Sequence, residues 1–221
     1  MGVTAHMRVL FVAAFAVFTL TACSDSSDRV EPAPRYVPIP VAAPEAPPDV
    51  GVPFVQTVGF NLAEVGYESE EFFLRGTASS FITVTEAGAD GLWDVEPLDS
   101  ADYLTRIVVH RPANPADFSG TVIVEWLNVS GGLDAGPGYV AGHTEMHRSG
   151  HVWVGVSAQV VGIEGQAGGF PLNLKAVNPE RYGKLVHPGD QYSYDIFAQV
   201  AGLLREPGAV DPLNGLQPEY I

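Results

Sequence analysis

The chain has 221 residues, of which 11 are Lys or Arg and 26 are Asp or Glu, giving a formal charge of -15. That charge repels phosphate backbones and anionic headgroups alike, so no nucleic-acid partner is expected. The single cysteine, Cys23, excludes an internal disulfide, and a removable N-terminus followed by a proline-rich stretch leaves one domain of about 170 residues.

At the front, Arg8 supplies a positive flank, residues 9–20 are almost unbroken apolar, and Leu20-Thr21-Ala22-Cys23 closes the run with small residues. This is the pattern of a secretion signal over 1–22, with Met7 as an alternative start, and it falls short of the roughly 20 apolar residues of a spanning helix. The Leu-Thr-Ala-Cys ending resembles the lipobox of bacterial lipoproteins. The resemblance implies lipidation of Cys23, cleavage before it, export, and a membrane contact made through the lipid anchor. Ser24 directly after the cysteine implies outer-membrane sorting if the cell is Gram-negative. An ordinary signal peptide followed by a chance cysteine is the alternative. Residues 23–53 then read as the acylated cysteine and a proline-rich tether, with Pro32, Pro34, Pro38, Pro40, Pro44, Pro47, Pro48 and Pro53 opposing helix and sheet interior. Thirty such residues span as much as ~90 Å in polyproline II.

From residue 54 onward the texture becomes globular. Phe81-Ile82-Thr83-Val84-Thr85 alternates as a strand does, and a turn-rich stretch over 86–91 follows. Residues 104–110 form a second strand ended by Arg111-Pro112, and β-branched residues over 121–127 form a third, with 113–120 as a hairpin connection between them. Gly131-Gly132 and Gly136-Pro137-Gly138 lead into a helix over 139–148, which Ser149-Gly150 terminates. A buried strand over 151–157, a glycine-rich excursion, and a helix from Asp190 as cap to about Arg205 complete the pattern. On that last helix Ile196, Phe197, Val200, Leu203 and Leu204 share one face, and Pro218-Glu219-Tyr220-Ile221 looks like a strand beginning. Strand, strand, helix, strand, helix opens an α/β layer fold in which one helix returns between parallel strands.

Two stretches carry a family likeness: Gly120-Thr121-Val122-Ile123-Val124-Glu125-Trp126-Leu127-Asn128-Val129-Ser130-Gly131-Gly132, and Trp153-Val154-Gly155-Val156-Ser157-Ala158-Gln159. Together with Tyr194-Asp195-Ile196, Gly66-Tyr67-Glu68 and residues 72–76, they resemble the bacterial alpha/beta hydrolase domain family over roughly residues 50–221. The resemblance implies an α/β class with an incomplete α/β-hydrolase sheet of front strands and helices, preceded by a small β-rich N-terminal segment. The domain then runs over 54–221 and stops before the nucleophile elbow. The expected activity of the intact protein is hydrolysis of a small-molecule carboxylic ester by a serine nucleophile, without a cofactor. The chain itself reads as an inert N-terminal fragment of that enzyme.

In such a hydrolase the strand ending at Leu127 is the third, and the loop after it offers a backbone N–H to the oxyanion. The candidate donors are the amides of Ser130, Gly131 and Gly132, with Asn128 shaping the turn, because glycine lets a backbone amide approach a developing charge closely. Gly155-Val156-Ser157-Ala158-Gln159 nearly matches the nucleophile elbow, but its last glycine is replaced by Gln159 and it follows the fourth strand instead of the fifth. Two alternatives stay open. One is a non-enzymatic lipoprotein that binds a glycan or protein. The other is a metal-dependent hydrolase using His143 and His147, which are four apart on a solvent-facing helix with Glu145 between them, although Thr144 occupies the place where zinc peptidases keep their glutamate. His110, His151 and His187 read as structural.

Overall fold

Two long antiparallel strands build the frame of the molecule, which the computed structural model describes over residues 42–56, 58–86 and 88–221. The leader, Cys23 and the first part of the tether lie outside the described residues. Among the described residues one mixed sheet contains β1 (Ala43–Glu45), β2 (Tyr67–Thr83), β3 (Val95–Pro112), β4 (Val122–Trp126) and β5 (Val152–Val156), in spatial order β1-β2-β3-β5-β4. β2 and β3 pair antiparallel from Tyr67 opposite Pro112 to Thr83 opposite Val95, with a bulge at Ser80/Phe81. β3 runs antiparallel to β5, whereas β4 and β5 are parallel and are joined by the crossover helix α1 (Pro137–Ser149).

After β5 come three short helices, α2 (Val160–Glu164), α3 (Leu174–Val177) and α4 (Pro179–Tyr182), and then α5 (Ser193–Arg205). The two-residue period of the strands sorts their side chains between layers. Phe72, Leu74, Ile107 and Val109 pack with Ile196, Val200, Leu203 and Leu204 of α5. Phe73 and Leu104 pack with Ile163, Leu174, Tyr182 and Leu185. Val108 and Leu127 join Tyr139 and Trp153.

Helix α1 starts without a capping side chain of its own, since its cap position is Gly136. Instead the Glu125 carboxylate on β4 accepts the Gly138 and Tyr139 N–H groups at 2.6 and 2.8 Å and the Trp153 indole N–H at 2.8 Å. The helix ends at Gly150 with φ 72°, where a Cβ would lie 1.9 Å from the Asp117 carbonyl oxygen, so only glycine fits.

Several expectations change. The strand expected at 81–85 is the end of β2, which begins at Tyr67, and the strand expected at 104–110 belongs to β3, which begins at Val95, because both continue through charged residues. Residues 113–120 are not a hairpin: β5 lies between β3 and β4, and this stretch crosses from one to the other. Asp190 does not cap α5; it sits in a 3-10 turn and accepts the Val160 N–H at 2.8 Å. The proline-rich stretch is drawn into the fold before Pro53. β1 pairs with residues 73–75 of β2, an edge position that tolerates Pro44, and the Pro48 and Val50 carbonyls accept from Arg181 at 2.8 and 3.2 Å. Tyr220 forms a parallel bridge with Thr121 and accepts the Val122 N–H at 2.9 Å, so the final residues do begin to pair beside β4.

Candidate functional site

In sheets of this type, ligands gather at the carboxyl ends of the parallel strands, and there the loop that follows β4 is closely held. Asn128 and Ala135 exchange both backbone hydrogen bonds, at 2.8 and 3.0 Å, closing the loop at its neck. Gln56 straps the flank: its N–H donates to the Asp134 carbonyl and its carbonyl accepts the Gly136 N–H, each at 3.0 Å. Inside the loop, Asn128 Oδ1 accepts the Ser130 N–H at 3.0 Å and the Val129 carbonyl accepts the Gly132 N–H at 2.9 Å. Gly132 takes φ 79°, the left-handed conformation that favours glycine. Of the three candidate donors, the Ser130 and Gly132 amides are therefore occupied within the turn. The Gly131 N–H has no acceptor among the described residues, and Gly131 is exposed at the apex.

Ser157, at the end of β5, is fully buried. Its hydroxyl donates to the Asp134 carboxylate and accepts from Arg106 Nε at 2.9 Å. A serine sealed from solvent and committed to a carboxylate and a guanidinium is a structural hydrogen-bonding group.

Beneath the loop lies a set of charges that the sequence reading missed. Arg106 on β3 has no exposed surface, and its remaining donors reach Glu71 on β2 at 2.8 Å and Asp134 at 2.9 Å. Glu71 also accepts from Arg181 Nε at 2.7 Å and from the Tyr182 hydroxyl at 3.0 Å. Two guanidinium groups thus face two carboxylates, and the cluster is neutral. Burial disfavours charge on Arg106, but Asp134 and Glu71 outweigh it and hold the guanidinium above its ordinary pKa. The detectable signal was Arg106 itself, a charge inside the apolar run of residues 104–110, which a buried strand accommodates only with partners.

The histidine pair lies elsewhere, half-buried on helix α1. His143 and His147 pack against Phe60, with ring centroids 5.4 and 5.6 Å away, and border an open cleft of about 420 Å³. The Tyr139 hydroxyl lies 2.9 Å from His147 Nε2, and Glu145 points away into a pairing with Arg148 and Ser149. Among the described residues no group of three His, Cys, Asp or Glu side chains is arranged to hold a metal ion. His110 is enclosed between Tyr139 and Trp153, each 4.8 Å away, and burial depresses its pKa to about 4.

The mixed sheet, with its antiparallel β3, parallel β4 and β5, and a pinned glycine loop at their carboxyl ends, is that of the front part of an α/β hydrolase. The chain matches the family described as Alpha/beta hydrolase domain over residues 36–221 and belongs to that family. The match begins within the stretch read as tether, ahead of β1. Searches of curated proteins and of solved structures gave no match.

Proposed function

We propose that this chain supplies the oxyanion half of a serine hydrolase acting on a small-molecule carboxylic ester, in an exported protein anchored by a lipid on Cys23. The observation that carries the reading is the Gly131 N–H, exposed and without an acceptor among the described residues on a fastened turn after β4. A donor fixed in advance stabilises a developing oxyanion without reorganising during the reaction. Ser157 is not the attacking serine of this reading, since it is buried and its hydroxyl is already engaged. An oxyanion donor acts only together with a nucleophile and a base, so the loop supplies one part of such a site.

The test is a titration of 15N-labelled protein with ethyl butyrate. The Gly131 amide should shift progressively while the amides of β5 stay in place. A Gly131 amide indifferent to the ester would contradict the reading. The anchor is tested separately, by fractionating cells that express the full chain. Cys23→Ser should move the protein out of the detergent-extracted membrane fraction, and an unchanged distribution would refute lipidation at that residue.

A further inference from the structure

We infer that Arg106 is the positioning residue of the glycine loop, acting through Asp134 and Ser157. The inference takes its purpose from the hydrolase reading above, but its geometry stands independently. One guanidinium joins three separate pieces of the fold: Glu71 on β2, Asp134 in the loop after β4, and Ser157 where β5 ends. The planar fork is what permits three simultaneous, directed bonds, and a lysine ammonium offers no equivalent arrangement.

Asp134 is the link to the loop. It lies three residues after Gly131 and directly before Ala135, whose backbone closes the neck with Asn128. Its side chain is locked from both directions. Oδ2 receives Arg106 and Ser157, while Oδ1, which has no hydrogen-bond partner among the described residues, faces the α2 backbone at Gly162. A Cβ at Gly162 would come 2.0 Å from Oδ1, so a helix backbone occupies the space into which the carboxylate would otherwise turn.

Energetics argue that orientation, not stability, is what the charges supply. Burying an ion pair carries a desolvation cost that often cancels its attraction, and apolar replacements of similar volume are frequently as stable. A fixed guanidinium nevertheless ties the loop after β4, through Asp134, to Ser157 at the end of β5.

Amide hydrogen exchange and 15N spectra of the full chain test this with Asp134→Asn, which keeps shape but removes charge, and Ser157→Ala, which removes one hydroxyl. The amides of Asn128, Gly132 and Ala135 should exchange at least about tenfold faster, and the Gly131 resonance should move, while residues 152–156 of β5 keep wild-type protection. Arg106→Lys should loosen the same amides although the charge remains. Unchanged loop amides in the folded variants would overturn the inference. So would β5 amides accelerating in step with the loop, which would mark a general loss of core stability. If Asp134→Asn does not fold, Ser157→Ala decides. The hydrolase reading fails on a different observation, an unresponsive Gly131 amide in the unsubstituted protein titrated with ester.

Discussion

The two ends of the β2–β3 pair are made of the same two strands and treat their side chains in opposite ways. Toward the middle of the sheet, Glu71 and Arg106 are enclosed completely. Beyond Ser80 and Asp99, the ribbon and its connecting turn display Phe81, Ile82, Val95 and Leu98, with Leu92 and Trp93 at 83 % and 57 % exposure. Charges lie inside and hydrophobic groups outside. What decides burial is whether another layer covers that part of the strand. α4 brings Arg181 and Tyr182 over Glu71, and the loop after β4 brings Asp134 over Arg106. On the ribbon, α5 reaches only as far as Ser79, whose N–H the Asp195 carboxylate accepts at 2.6 Å. The adjoining Tyr192 hydroxyl donates to Asp99 at 3.2 Å.

Removing the covered charge should have the largest effect. Arg106→Met leaves Glu71 and Asp134 without their shared partner, and the expected loss is about 3–5 kcal/mol in urea denaturation. A loss below about 1 kcal/mol would show that the two carboxylates find other partners and that the enclosed end is less constrained than described.

A second test uses acid. His110, buried on the same strand four residues on, has a folded pKa near 4 against 6.5 for the free side chain, so below pH 6.5 the unfolded chain takes up the proton first. Stability should be intact above pH 6.5 and fall between there and about pH 4, by up to about 3 kcal/mol from this group. Burial lowers the His147 pKa too, adding to the same slope. His110→Phe should flatten the pH dependence, and an unchanged slope would assign acid sensitivity elsewhere.

The uncovered end should respond least. Leu92→Ser and Leu98→Ser should each change stability by no more than about 0.5 kcal/mol, since neither side chain packs against a core. A loss above about 1 kcal/mol in either would mean that the ribbon tip is covered in solution.

Much of this architecture was legible from pattern. The run 121–127 and the run 151–157 both became strands, and α1 ended at Gly150 as expected, because β-branched content and a terminal glycine are local signals. The apolar face of α5 buried Ile196, Val200, Leu203 and Leu204 as its spacing implied. What escaped notice was non-local. The order of β4 and β5 depends on a crossover that no short segment records, and Glu71, Asp134 and Arg181 become one cluster only after distant parts of the chain meet. Asn128 and Gly131-Gly132 marked the turn correctly. Which of its amides remains available was set by Asn128 Oδ1 and the Val129 carbonyl.

The most direct measurement of the central claim is p-nitrophenyl butyrate hydrolysis by the purified chain and by its Ser157→Ala variant. Both should release nitrophenol no faster than buffer does, because the Ser157 hydroxyl is buried and committed to Asp134 and Arg106. Turnover well above buffer that vanishes in Ser157→Ala would contradict the structural role of Ser157 and, with it, the proposed reading of the site.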